Sequence, residues 1–422
     1  MIQSVEIRET DVLIIGSGLS TLGLLEAFRD ESMNITVLET GFTDALRCSG
    51  ALQTTLAVPP LKIPTDSQED EVLIETQDLD TYQQRSTPIL LADTLGRLHW
   101  SKFVKKTHSD GDLSRWFDGQ LRYSDQGKVG LIQLGDIQVS PYPAKEYNNI
   151  YSSSFPLFHD VNINFPTIQS SYSITAELIH EERMFLYLLT QLQDHQDQYD
   201  LFLLPPALGL KEPDKLLQKL KDHLDTPIAE MLAPPLQQPG HRCFLETKKQ
   251  IENLANNVLN GTITSFQSSP SRVVQEVIVQ REYDQTKHAQ LALQTRMICL
   301  LSGGVAEQGI VRDLHKGWSE QHFDLPVVCL GGSQVQNPTY DSIMKQASNA
   351  SIRTNSEGKP INSFEEVCYE NLFAAGSVVT RLLKNQTGKQ SSEKIGLQRS
   401  LLDNYLEGKR LGVLVTSALK NE

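Results

Sequence analysis

An apolar run, Asp11–Ile15, ends on Gly16-Ser17-Gly18 and passes at once into Leu19–Phe28, where Leu19, Leu22, Leu25 and Phe28 recur at helical spacing. A second apolar run, Ile35–Glu39, follows. Strand, tight turn, helix and strand in this order define the first βαβ unit of a parallel sheet. Gly16 permits the turn, and Gly18 lets a ligand approach the backbone N–H groups at the helix start, which favour anions. The third fingerprint position is Thr21 instead of glycine, which should push helix and strand apart, and Gly23 is expected to compensate. Glu39 closes the second strand about 20 residues beyond the turn, where a carboxylate accepts hydrogen bonds from a ribose diol. The unit predicts a nucleotide cofactor, FAD (or FMN), held by Gly16, Ser17, Gly18, Leu19, Ser20, Glu39 and Thr40. The competing reading is a structural βαβ unit without a ligand.

The chain has 422 residues, enough for two or three domains or one α/β body with an inserted cap. Its net charge of −14 argues against binding nucleic acid or anionic lipid over the whole surface. The five cysteines are scattered without a CxxC pair, which excludes a disulfide framework and predicts neither an iron–sulfur cluster nor any other metal site. Cys48 has no second cysteine near it in sequence and is expected to be a small packed residue. Met1–Thr10 lacks an apolar core and reads as no signal peptide. No run of about 18 apolar residues is present, so no transmembrane segment is expected. These features predict a cytoplasmic protein.

Beyond Pro59 the pattern is broken by Pro60, Pro64 and an acidic stretch, Asp66–Asp80. Strands are expected at Lys128–Leu134 and Leu201–Leu204, helices at Glu177–Gln193 and Lys211–Leu224, and a proline-rich loop at Thr226–Gln238. A helix over Glu246–Leu259 then leads to a strand at Gly261–Phe266. Val273–Arg281 and Gln290–Leu301 read as a β-hairpin feeding a buried strand that ends on Ser302-Gly303-Gly304. Asn371–Gly376 is a further buried strand, and Gly396–Gly412 a closing helix. The expected fold is α/β: an FAD/NAD(P)-binding Rossmann-like parallel sheet with a β-meander, of the glutathione-reductase or succinate-dehydrogenase type, plus an inserted α+β cap. Residues 1–60, 245–320 and 365–422 would form the dinucleotide domain, and 61–244 with 321–364 the substrate cap.

Two later segments extend the site. Ile298–Gly304 returns the chain beside the cofactor, with Ile263, Ser302 and Gly303 as contacts; Asn371–Ser377 places Gly376 and Ser377 beside the flavin. Ser49-Gly50 and Gly396 complete the predicted set. At Ser377 a neutral hydroxyl stands where flavoproteins of this type carry an aspartate.

Taken together the segments resemble the B subunit of the anaerobic, quinone-linked glycerol-3-phosphate dehydrogenase. The similarity is carried by the N-terminal turn, Cys48-Ser49-Gly50-Ala51-Leu52, Leu203–Leu210, Pro234-Pro235 with Gly240-His241-Arg242, Ser302–Val311 and Asn371–Val378. Residues 60–127 and 380–395 match poorly. The resemblance implies oxidation of sn-glycerol 3-phosphate to dihydroxyacetone phosphate, with electrons passing through flavin to a quinone. It also implies catalytic and iron–sulfur partner subunits that bring this chain to the inner membrane. His241 and Arg242 are the candidate catalytic base and phosphate anchor, since Arg forks onto phosphate oxygens; the alternative is a solvated surface loop. Three readings stay open: an active dehydrogenase subunit, a non-catalytic scaffold that docks a catalytic partner, and an unrelated FAD-dependent oxidoreductase.

Overall fold

The computed structural model describes residues 6–39, 43–49, 51, 54–56, 82–114, 127–134, 143–151, 157–164, 178–233, 237–283, 287–313, 317–329, 350–380 and 400–421. Contacts group the chain into two compact units, Met1–Ala45 with Phe244–Glu422, and Leu46–Cys243. In this grouping the described residues 46–49, 51 and 54–56 fall in the second unit, and 321–329 with 350–364 in the first.

The first unit is organised by a seven-stranded sheet. Strand β1 (Glu6–Ile15) leads through the glycine turn to helix α1 (Leu19–Ala27) and strand β2 (Ile35–Glu39). The strand Asn257–Asn260, β2, β1 and Lys287–Leu300 pair in parallel. Val274–Tyr283 and Thr262–Ser268 continue the sheet as an antiparallel meander. Lys287–Leu300 spans both halves of the sheet. Its first half pairs with the meander, and its last residues pair in parallel with Leu372–Ala374. Ile15 pairs with Leu300, so the Gly16 turn lies beside the Leu301–Gly303 segment. A mixed α/β body with a parallel sheet and meander is what the hydrophobic runs predict.

Helix α1 is buried from Leu19 to Leu25, all but its last two residues, as a helix covered on both sides must be. The C-terminal helix Leu401–Asn421 covers one side at very short range. A Cβ on Gly23 would meet the Tyr405 carbonyl oxygen at 2.0 Å, and one on Gly408 would meet the Ser20 carbonyl at 1.8 Å. Gly23 therefore serves helix–helix packing and does not compensate for Thr21. Thr21 fits by turning its hydroxyl onto the Gly16 carbonyl, 2.9 Å away.

The second unit holds a four-stranded parallel sheet in the order Leu157–Ile163, Lys128–Leu134, Leu201–Leu204, Ile228–Glu230. A separate antiparallel sheet joins Thr55–Leu56, Leu98–Lys105 and Tyr82–Ala92. Glu182–Gln193 buries Phe185, Leu188, Leu189 and Leu192, the i, i+3, i+4, i+7 stripe of a sheet-covering helix. Pro213–Lys221 starts with proline in its first turn and ends with Lys219 and Lys221, which suits both helix ends.

Three boundaries differ most from the sequence pattern, the first being the closing helix, which is expected to end at Gly412 but runs on to Asn421. The expected loop Thr226–Gln238 contains the strand Ile228–Glu230, whose three residues are too few for periodicity to register. The expected helix over Glu246–Leu259 runs instead from Gln238 to Leu254, and Asn257–Asn260 is a strand. Pro239 and Gly240 look like helix breakers but occupy the first turn, where a missing N–H costs nothing. Gly240 is required there because a Cβ would meet the Leu46 carbonyl oxygen at 2.2 Å.

Candidate functional site

The turn after β1 opens onto a pocket lined by Gly16, Ser17, Gly18, Ser20, Thr43, Asp44, Leu301, Ser302, Gly303, Glu307 and Ser377. Gly16 has φ +114 and would place a Cβ 2.2 Å from the Leu301 carbonyl oxygen, so only glycine serves. Gly376, with φ +75, presses equally close to the Ser20 hydroxyl. Of the predicted cofactor contacts, the tertiary structure gathers Gly16, Ser17, Gly18, Ser20, Ser302, Gly303 and Ser377 around one pocket, with Gly376 beside it.

The rest are placed differently. Leu19 contributes its backbone N–H at the head of α1. Ile263 packs on the hydrophobic core of the sheet and is not among the pocket's lining residues. Ser49 belongs to the second unit, where its carbonyl accepts the Ala233 N–H at 2.9 Å. Thr40, Gly50 and Gly396 lie outside the described residues.

The decisive group is one that sequence spacing did not reveal. Asp44 Oδ1 accepts the Leu19 N–H at 2.9 Å, and Asp44 Oδ2 accepts the side-chain amide of Asn404 at 2.7 Å. A carboxylate from this chain thus occupies the head of α1, where N–H groups and helix dipole favour an anion. It sits so close that a Cβ on Gly18 would lie 2.3 Å from Asp44 Oδ1. Gly18 leaves room for an anion as the motif requires, but the anion is Asp44.

A second carboxylate lines the same pocket. Glu307 Oε2 accepts the Gly304 N–H at 2.8 Å, and Ser377 Oγ lies 3.4 Å away. Among the described lining residues there are two acids and no Lys or Arg. At the end of β2, Glu39 Oε2 pairs with Lys248 Nζ at 3.0 Å, while Glu39 Oε1 is buried without a hydrogen-bond partner. Ser302 Oγ is likewise buried and unpartnered.

These facts decide whether FAD or FMN fits. Glu39 Oε1 is a buried acceptor that a ribose hydroxyl would satisfy. The seat for a phosphate group is filled by Asp44, and two carboxylates would repel the newcomer. In this arrangement the residues do not fit the flavin cofactors.

His241 and Arg242 do not act as a unit. His241 is exposed on the helix Gln238–Leu254, while Arg242 is 2% exposed. The Arg242 guanidinium forks onto Glu230 at 2.6 and 2.8 Å and donates through Nε to the Gly209 carbonyl at 2.6 Å. Its donors are directed at protein groups and not at a phosphate. Burial would raise the Glu230 carboxyl, but the charge and hydrogen bonds of Arg242 outweigh it and hold the group below its usual value. His108 Nε2 lies 3.8 Å from Glu230 Oε2, yet burial pushes its ring down to about 4. It stays neutral, so this contact is not an ion pair. The Arg242 contacts tie Gly240-His241-Arg242 to the Leu203–Leu210 segment, which explains both motifs as architecture.

Asn371 is architectural too. Its amide donates to the carbonyls of Val274 and Arg296 at 2.8 Å, and its oxygen accepts the Val274 N–H at 2.9 Å. It pins Leu372–Ala374 to the neighbouring strands.

No protein-family model and no curated protein matches the chain. Among solved structures it is similar to the 3-ketosteroid-Δ4-(5α)-dehydrogenase of Rhodococcus jostii RHA1, at 9% identity and TM-score 0.35, covering 98% of each chain. It is also similar to a flavocytochrome c3 fumarate reductase, at 9% identity and TM-score 0.36, covering 97% of this chain and 78% of that one. The quinol fumarate reductase FrdA of E. coli gives 7% identity and TM-score 0.34 over 99% and 72% of the two chains. At such scores the functional argument rests on the residues themselves.

Proposed function

We propose that this chain is the flavoprotein-fold subunit of a quinone-linked dehydrogenase of the glycerol-3-phosphate type, and that it supports a catalytic partner instead of carrying the reaction. The observation that carries the reading is the head of α1: residues from separated segments converge on the glycine turn, and the place where a ligand anion would sit is taken by the carboxylate of Asp44. The order of motifs along the chain supplies the family. The burial of Arg242 against Glu230 supports the scaffold role, because it removes the anchor that a phosphorylated alcohol would need.

In such an assembly sn-glycerol 3-phosphate would lose a hydride from its carbinol carbon and a proton from its hydroxyl to give dihydroxyacetone phosphate at the catalytic partner's site, with a quinone as the two-electron acceptor. The partners would be a catalytic subunit and an iron–sulfur subunit at the inner membrane. No helix among the described residues is long and apolar enough to cross a membrane.

A second reading, an independently active flavoprotein with FAD or FMN, is favoured by the glycine-only turn at Gly16 and the unpartnered Glu39 Oε1. Turnover of glycerol 3-phosphate with a quinone analogue, measured with the chain alone and with partner subunits, separates the two. Activity only in the assembly supports the scaffold. Activity and flavin absorption from the isolated chain would establish the second reading, and turnover of another substrate alone would point to an unrelated oxidoreductase.

A further inference from the structure

We infer that Asp44 is a built-in substitute for the ligand phosphate, and that it keeps a latent nucleotide site closed. This rests on the reading of the first unit as a dinucleotide fold, but not on the identity of the assembly.

The head of α1 needs an anion or equivalent acceptor, since its first N–H groups have no partner within the helix. In a dinucleotide-binding fold a phosphate group supplies it. Here the acceptor is covalently part of the chain: Asp44 accepts the Leu19 N–H on one side and the Asn404 amide on the other. Asn404 lies on the same C-terminal helix whose Gly408 and Gly412 press against α1. The carboxylate is therefore held by the element that packs on the helix it caps.

Two neighbouring atoms point to a ligand rather than to a purely structural cap. Ser302 lines the pocket with its Oγ buried and unpartnered, and its side chain belongs to a residue only 4% exposed. Glu39 Oε1, at the end of β2, is buried and unpartnered as well. Unsatisfied buried acceptors are costly and usually have a partner. Both would gain one from a nucleotide's hydroxyl groups. The ligand class is a nucleotide with a pyrophosphate, for which ADP is the minimal probe and FAD the full one.

The test is titration of the purified full chain with ADP and with FAD, following calorimetric heat and quenching of flavin fluorescence. Asp44→Asn removes the charge but keeps an acceptor for Leu19 N–H; Asp44→Ser also opens space. Asn404→Ala loosens the carboxylate without changing the charge of the pocket. Thermal melts check that each variant is folded. The inference expects Asp44→Asn and Asp44→Ser to bind both probes at least tenfold more tightly than the parent, with a smaller gain for Asn404→Ala. Parent protein that binds FAD as tightly as the variants would overturn the inference and leave the dinucleotide reading standing. Folded variants that bind neither probe would overturn both.

Discussion

Glu39 and Lys248 join the end of β2 to the helix Gln238–Leu254 through an ion pair of 3.0 Å. The lysine side chain is 32% exposed and the glutamate 10%, so solvent screens the pair only in part. Lys248→Met would leave Glu39 with neither oxygen paired, and should destabilise the protein by about 1–2 kcal/mol. Combining it with Glu39→Gln should recover part of that loss. Strict additivity in a double-mutant cycle would show that the two side chains do not interact.

The buried pair Arg242–Glu230 behaves differently. Arg242→Ala leaves an uncompensated carboxylate in the core and should cost about 3–5 kcal/mol. Replacing both residues by hydrophobic ones, as in Glu230→Leu with Arg242→Met, should be far milder than the single change. The folded-state pKa of Glu230 is depressed, so its contribution is present above the unfolded carboxyl value of about 4 and is lost as pH falls below it. Chemical denaturation between neutral and acidic pH measures both effects. A double variant as unstable as Arg242→Ala would rule out charge isolation as the cause.

Glu320 has the opposite sign. Its backbone contacts with His322 and Phe323 favour the carboxylate, but burial dominates and raises the carboxyl to about 7 from 4.5. A raised folded-state pKa stabilises the protein fully below the unfolded value, and that stability is lost as pH rises through about 7. The loss amounts to about 3 kcal/mol. Glu320→Gln should flatten the stability profile between pH 4.5 and 7. An unchanged slope in the variant would assign the dependence elsewhere.

The cysteines should fall into two classes. Cys48, Cys243 and Cys299 are buried, and Cys329 and Cys368 are partly exposed. The expectation for Cys48 as a packed residue holds, but a second cysteine is near it in space. The Cys243 thiol hydrogen-bonds to Cys48, and that bond together with burial pushes it well above the usual thiol value. Cys48 also lies 3.1 Å from the Tyr82 hydroxyl. Native protein should therefore be alkylated at Cys329 and Cys368 first, with the other three reacting only on unfolding. Peptide mapping after brief labelling reads the order directly. Rapid labelling of Cys243 in the native protein would contradict it.

The sequence by itself determined the βαβ start, the meander, the parallel sheet and the buried strand at Leu372–Ala374. Those features follow from local hydrophobic periodicity and from glycine at positions that tolerate no Cβ, both of which are written in neighbouring residues. It also marked most of the residues that now surround the pocket. What only the tertiary structure decided is what fills that pocket. Asp44 and Asn404 are brought to the turn from elsewhere in the chain, as Lys248 is brought to Glu39, and no spacing rule connects them to Gly16 or Gly18. The same holds for Arg242, whose partner Glu230 lies on a three-residue strand too short to be read. A glycine turn announces that an anion can approach the helix. Which anion does so is set by long-range packing, and here the packing delivers a carboxylate of the chain itself.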